Sequence, residues 1–253
     1  NSQQGLYLVS LENGTVSPLA DDPDKSEGWG AWCRLGQKIV YTQKSGNSSS
    51  ELWIVDRDGS NRHRLGTSEN VGTGKDWCPL GLKVLYSARN SKEKPDLWVI
   101  DWYGTNQTQL TDTPYGEWNP SFSPDGKKII YISDEGGKPE IWLRDIEGNY
   151  RTRLTNDIGI VDSIPRWSPD GSKIVFTVHT LQNTTGNSIT GGSDSNLENA
   201  SDNLITNSTE IAVIKLENAP AVSPLPEVTS IKIDSVSTIL ESGAINIFHN
   251  HKK

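Results

Sequence analysis

Residues Phe122-Ser123-Pro124-Asp125-Gly126-Lys127-Lys128-Ile129-Ile130-Tyr131 and, 45 positions further on, Trp167-Ser168-Pro169-Asp170-Gly171-Ser172-Lys173-Ile174-Val175-Phe176 carry one pattern: an aromatic, a Ser-Pro-Asp-Gly turn and a short β-rich apolar run. Proline presets φ, aspartate bonds the backbone locally and glycine tolerates positive φ, so each stretch reads as two strands joined by a tight turn. The register extends upstream. Trp32, Trp77, Phe122 and Trp167 lie 45 residues apart each time, followed by Gly36, Gly81, Gly126 and Gly171 and by the cores Ile39-Val40-Tyr41, Val84-Leu85-Tyr86, Ile129-Ile130-Tyr131 and Ile174-Val175-Phe176. Four copies without drift mark a repeat architecture before any single strand is assigned.

The second half of the unit repeats as well. Glu51-Leu52-Trp53-Ile54-Val55-Asp56, Asp96-Leu97-Trp98-Val99-Ile100-Asp101 and Glu140-Ile141-Trp142-Leu143-Arg144-Asp145 each run into a turn glycine, Gly59, Gly104 or Gly148, and a polar strand closing on Leu65, Leu110 or Leu154. The fourth copy resumes late, at Glu210-Ile211-Ala212-Val213-Ile214, and a half copy, Leu6-Tyr7-Leu8-Val9 to Gly14 and Leu19, stands at the front. Four short strands per 45-residue unit predict an all-β chain: a β-propeller of four-stranded blades, five if the termini build a composite blade. Trp32, Trp77, Phe122, Trp167, Trp53, Trp98 and Trp142 form the expected repeat core, filling the wedges between sheets. Trp29 and Trp102 fall outside the register and are the tryptophans expected to be exposed.

The quoted turns, each followed by an Ile-Trp-x-x-Asp type strand and a Leu-Thr ending, resemble the TolB-like (WD40-like) propeller repeats, over roughly residues 5 to 218. The resemblance implies the propeller fold. Such blades occur in periplasmic TolB, in surface proteins of bacteria and archaea, and as non-catalytic domains of prolyl-oligopeptidase-type and tricorn-type peptidases, so fold alone does not select a function. The first two units depart from the motif, with Cys33-Arg34-Leu35-Gly36 and Cys78-Pro79-Leu80-Gly81. Cys33 and Cys78 thus occupy equivalent places in adjacent blades, where a disulfide is geometrically conceivable; two independent buried thiols are the alternative.

Residues 1–218 form the propeller, with 180–208, rich in Asn, Ser, Thr and Gly, as a long loop or disordered insertion. Residues 219–227 are proline-rich and resemble a linker. The β-rich tail, 228–253, either closes the ring, pairs with a neighbouring molecule, or begins a further module. The chain opens on Asn1 and contains no methionine, as expected of a trimmed product.

Composition excludes several functions. With 32 acidic against 24 basic residues and a net charge of −8, the chain is not expected to bind nucleic acid, whose phosphates require a Lys/Arg excess. No apolar run approaches the ~18 residues of a membrane span. No nucleophile elbow, phosphate loop or His-Glu-x-x-His motif is present, so no catalytic residue, metal site or cofactor is assigned. Asn-x-Ser/Thr sequons at Asn13, Asn47, Asn106, Asn183, Asn199 and Asn207 are candidate glycosylation sites, expected in turns or loops. The expectation is an exported, non-enzymatic propeller whose partners are other proteins or copies of itself, with N-linked glycans. The propeller of a larger peptidase and a ligand-binding propeller are the alternatives.

Overall fold

The computed structural model describes residues 5–89, 93–156, 160–161, 164–183, 188–189 and 204–216. The tail segment 228–253 and the segment 219–227 lie outside these residues. A two-stranded sheet, β1 (Leu6–Val9) and β2 (Val16–Ala20), comes first. Blade 1 follows with β3 (Lys25–Trp32), β4 (Lys38–Ser45), β5 (Glu51–Asp56) and β6 (His63–Glu69). Blade 2 comprises β7 (Val71–Trp77), β8 (Lys83–Ala88), β9 (Asp96–Asp101) and β10 (Thr108–Gln109); blade 3 comprises β11 (Glu117–Phe122), β12 (Lys128–Ser133), β13 (Glu140–Asp145) and β14 (Arg151–Arg153). Each of these blades is an antiparallel meander in chain order, and the described residues contain strands and no helix.

Blade 4 is modified. Its inner strand is split into β15 (Ile160–Val161) and β16 (Arg166–Trp167), both paired with β17 (Lys173–Asn183), which also pairs with β18 (Ser188–Ile189) and β19 (Leu204–Lys215). The β17–β19 ladder runs from Lys173↔Lys215 out to Asn183↔Leu204, so paired strand occupies both ends of the stretch expected to be loop. Thr180, Ile205, Thr206 and Thr209 are β-branched and favour extended pairing even where composition is polar.

Packing explains the repeat. The two middle strands of blades 1, 2 and 3 bury both faces, one against the preceding sheet and one against the next. Val40, Leu52 and Ile54 meet Trp77, Val84 and Tyr86 between blades 1 and 2; Leu85, Leu97 and Val99 meet Ile129 and Tyr131 between blades 2 and 3; Ile130, Ile141 and Leu143 meet Ile174 and Phe176 between blades 3 and 4. Leu6, Leu8, Leu19 and Ala20 supply the same contact ahead of blade 1, against Ile39, Tyr41 and Val55. The equivalent Tyr41, Tyr86 and Tyr131 are fully buried, and burial pushes each phenol up to about 12.

A second set of ties joins consecutive inner strands. The indole Nε1 of Trp77 donates to the carbonyl of Ala31 at 3.0 Å, and that of Trp167 donates to the carbonyl of Ser121 at 3.3 Å. Phe122 holds the same place in blade 3 but has no N–H to give. There the donors still lie on the later blade but the reaching side chain is the acceptor: the carboxylate of Asp76, one blade back, accepts from Ser121 Oγ at 2.9 Å and from the Phe122 amide at 2.8 Å, and its other oxygen takes the Trp77 amide at 2.9 Å. Trp32 departs from the expected core, being 51% exposed where Trp77 is 3% exposed, because among the described residues no inner strand precedes β3. Of the two tryptophans expected outside, Trp29 is exposed and Trp102 is half-buried.

The inner strands of blades 1, 2 and 3 also carry a register shift, between Gly28 and Ala31, Val71 and Lys75, and Trp118 and Ser121. At these bulges adjacent blades approach closely: a Cβ on Gly74 would stand 2.6 Å from the Asn119 Cα, which restricts the position to glycine. Lys75, buried at the same bulge with Nζ 3.4 Å from the Gly72 carbonyl, has its ammonium pushed down to about 7 by burial. In the unfolded chain this group titrates near ~10.4. Between about pH 7 and pH 10 the unfolded state therefore binds a proton that the folded state does not, and stability rises with pH across that window. The expected outcome is a urea midpoint that climbs from pH 7 to pH 10 in the native chain and climbs less in Lys75→Met.

Candidate interaction face

All the turns between first and second strands, and between third and fourth, lie at one end of the blades. The first set are β-turns closed by Gly36 N–H to Cys33 O, Gly81 to Cys78, Gly126 to Ser123 and Gly171 to Ser168, at 2.8–2.9 Å, with the glycines at φ of +65° to +72°. In blades 3 and 4 the hydroxyls of Ser123 and Ser168 accept the amides of Lys128 and Lys173, both at 2.9 Å, and donate to Asp125 and Asp170. Burial pushes Asp125 up, but the Ser123 hydroxyl and the Lys127 amide outweigh it and hold the group low. The Ser168 hydroxyl, helped by Ser172, takes the exposed Asp170 down to about 2.

Cys33 and Cys78 do the serine's work in blades 1 and 2. Cys33 Sγ accepts the Lys38 amide at 3.3 Å, and Cys78 Sγ accepts the amides of Leu82 and Lys83 at 3.3 and 3.2 Å. Both thiols are free, so the conceivable Cys33–Cys78 bridge is not formed: each sulfur is turned into its own turn and not toward the neighbouring blade.

The third-to-fourth turns are built on Asp56, Asp101 and Asp145, whose carbonyls accept from Gly59, Gly104 and Gly148. Their carboxylates hold Asn61, Asn106 and Asn149 at 2.8, 2.6 and 2.7 Å. Lys38 pairs with Asp56, and Lys83 with Asp101 at 2.6 Å. The Asn61 amide and the Lys38 ammonium hold Asp56 low; Lys83 and Asn106 do the same for Asp101. Asp56-Arg57-Asp58-Gly59 is thus a plain turn, and the described residues contain no group of three or more His, Cys, Asp or Glu placed to hold a metal.

What distinguishes the first two blades is the side chain each turn offers to solvent. Where blades 3 and 4 present Asp125, Lys127, Asp170 and Ser172, blades 1 and 2 present Leu35, Leu80 and Leu82, exposed by 67%, 73% and 54%, and beside them Tyr103, exposed by 53%. These groups are contiguous. The Gly81 turn lies against Leu35, with ideal Cβ to Leu35 Cδ1 at 3.6 Å. The Trp102 amide donates to the Leu82 carbonyl at 3.1 Å, Tyr103 meets Trp102 edge-on at 5.4 Å, and Lys38 Nζ lies 4.4 Å from the centre of the Trp102 ring. The result is an apolar patch bridging two blades, with the aliphatic and aromatic groups held by turns that cannot fold them inward.

The sequence singled out these two turns as departures from the motif but did not mark Leu35, Leu80, Leu82 or Tyr103 as a surface. The available signal was the coincidence of both Asp-to-Leu changes in adjacent units. Of the sequons, Asn13 and Asn47 are exposed in turns, Asn106 is engaged with Asp101, Asn183 and Asn207 fall on β17 and β19, and Asn199 lies outside the described residues.

Antiparallel blades in a fixed repeat, tied through their inner strands and closed at one end by turns on a positive-φ glycine, two of them Ser-Pro-Asp-Gly, define a β-propeller of the TolB type. The chain belongs to the TolB beta propeller domain family, whose sequence profile matches residues 29–225. Over 61 residues, 24% of this chain, it is 36% identical to the Tol-Pal system protein TolB of Alcanivorax borkumensis, and over 61 residues it is 43% identical to the uncharacterized peptidase YuxL of Bacillus subtilis. The matched segments span only 14% and 9% of those two proteins. Among solved structures, TolB from Acinetobacter baumannii is similar with a TM-score of 0.59 at 18% identity, covering 83% of this chain and 46% of that one.

Proposed function

We propose that this chain is an exported, non-catalytic propeller that holds another protein on its turn face, through Leu35, Leu80, Leu82 and Tyr103. The observation that carries the reading is the placement of these exposed apolar groups in the two blades that lack the polar form of the turn. A protein surface that only has to stay in water has no reason to replace Asp with Leu twice at equivalent sites, whereas a partner's apolar side chains give such a patch something to bury. Export is supported by the likeness to TolB and by the exposed sequons at Asn13 and Asn47, which would carry N-linked glycans in a host that makes them.

The test is site-specific cross-linking in the native host. A photoactivatable phenylalanine analogue at position 80 or 103 is expected to give a discrete adduct with one protein, and the same analogue at 125 or 170 none. Equal labelling at both sets of positions, or none at either, overturns the assignment.

A second reading, the propeller of a larger peptidase, has the match to YuxL in its favour. An α/β-hydrolase domain encoded in the same gene would establish it.

A further inference from the structure

The apolar patch on the turn face has a charged border on one side, formed by two arginines that interrupt the repeat. Position 34 is arginine in blade 1, and its equivalents in blades 2, 3 and 4 are Pro79, Pro124 and Pro169. Proline there presets φ for the turn and puts no charge at the surface. Position 57 is the second arginine. In all four blades the same backbone bond fixes this place to the first turn: the Arg57 amide donates to the Gln37 carbonyl at 2.9 Å, as Trp102 does to Leu82, Ile146 to Lys127 and Leu216 to Ser172. Trp102, Ile146 and Leu216 are partly buried and pack against the junctions between sheets, whereas Arg57 is exposed. Blade 1 thus carries a cation at two positions where the other three blades carry none.

Arg34 directly precedes Leu35 in its turn, and the bond to Gln37 sets Arg57 beside that same turn. Both are exposed, and among the described residues neither side chain makes a hydrogen bond or an ion pair. The other charges in the turns of blades 1 and 2 are already matched. Lys38 pairs with Asp56, and Lys83 with Asp101 at 2.6 Å. Asp58, next in the chain to Arg57, accepts the Ser60 amide at 2.9 Å and the Ser60 hydroxyl at 2.6 Å, and Ser60, ahead of Arg57, is what holds its carboxyl low. Two positive charges therefore flank Leu35, in a chain whose net charge is −8. Beyond Leu35, the surface of Leu80, Leu82 and Tyr103 carries no unmatched charge.

We infer that the protein held on this face presents an apolar segment with Asp or Glu side chains at one end. Its apolar residues cover Leu80, Leu82 and Tyr103, Leu35 marks the boundary, and its carboxylates reach Arg34 and Arg57. The inference rests on the partner reading above and adds the chemistry and the direction of the bound segment. A guanidinium meets a carboxylate through two parallel N–H···O bonds, which fixes orientation as well as attraction. With a Debye length of about 8 Å at physiological ionic strength, a carboxylate at this border responds to the two arginines and not to the acids of distant blades, so the acidic balance of the whole chain does not cancel them. An anionic bilayer fits the face less well. Lying across all the blades, it would also meet the exposed carboxylates of Asp125, Glu147 and Asp170.

The test keeps the photoactivatable phenylalanine analogue at position 80 of the full chain, in the native host, and reads adduct yield and adduct sequence. Arg34→Glu with Arg57→Glu is expected to lower the yield roughly ten-fold or more, and Lys127→Glu with Lys173→Glu, exposed cations at the same end of blades 3 and 4, by less than about two-fold. Sequencing of the adduct is expected to place the cross-linked residue within roughly six residues of two or more Asp or Glu, the reach of an extended segment across the two blades. That segment, synthesised as a peptide, is then expected to bind the unsubstituted chain about ten-fold more tightly than its Asn/Gln counterpart, a comparison that does not depend on how the variants fold. A yield unmoved by the arginine reversal, or equal binding of the two peptides, overturns the acidic end and leaves the protein partner standing. Absence of any adduct at position 80 in the native background overturns both.

Discussion

Trp77→Ala is expected to lower the stability of the folded chain by about 3–5 kcal/mol, a large part of the ~5–15 kcal/mol typical of a domain. Trp77 is buried between blades 1 and 2 among Val40, Leu52, Ile54 and Tyr86, and its indole satisfies the Ala31 carbonyl. Truncation removes the dispersion contacts, leaves a cavity between two sheets that are held apart by their other side chains, and strands a half-buried acceptor. Trp77→Phe separates these contributions: it keeps most of the packing and loses the N–H, for a cost of about 1–2 kcal/mol. Urea unfolding of the three chains measures both values. A Trp77→Phe loss equal to the alanine loss would mean that the hydrogen bond, and not the packing, joins the two blades.

Asp76→Ala has the second largest expected effect, about 2–4 kcal/mol, because three donors lose a charged acceptor and two of them, Ser121 Oγ and the Phe122 amide, belong to the next blade. Burial pushes the Asp76 carboxyl above the usual carboxylate range, and the Phe122 amide and Ser121 hydroxyl only partly oppose it. Asp76→Asn, which keeps one acceptor oxygen, is expected to cost less. The sharper test is the pair with Phe122→Trp. An indole at position 122 would donate to the Asp76 backbone carbonyl as the other inner-strand tryptophans do, and so recover about 1 kcal/mol of the Asp76→Ala loss. A double-mutant cycle with no coupling would show that the carboxylate does not substitute for the missing indole.

Asp76 also illustrates what the sequence conveys and what it conceals. The period, the four strands per unit and the aromatic positions are legible because packing both faces of every blade repeats the same demand at the same spacing. Asp76 looks like an ordinary polar residue beside Trp77, since its partner lies 45 residues away and its role arises only because Phe122 has replaced a tryptophan. The thiols are similar: equivalence of Cys33 and Cys78 is visible in the sequence, but whether two sulfurs face each other or their own turns depends on side-chain direction, which spacing does not encode. Trp32 shows the limit in the opposite sense. Its repeat position predicts burial, and it is exposed because no inner strand precedes β3 among the described residues. The apolar face was the least legible feature, because Leu35, Leu80, Leu82 and Tyr103 become one surface only when turns from different strands are brought to the same end.

The ties through Ala31, Asp76, Ser121 and the inner-strand aromatics all run between consecutive blades, and none reaches across the ring to a more distant one. Mechanically, the molecule is a series of springs and not a solid block. A disturbance entering at one junction is felt at the two adjoining sheets and decays beyond them. Each 45-residue unit therefore behaves as a cassette whose replacement has to satisfy two borders only. That allows blades 1 and 2 to differ in the chemistry of their turns from blades 3 and 4, which carry the polar form.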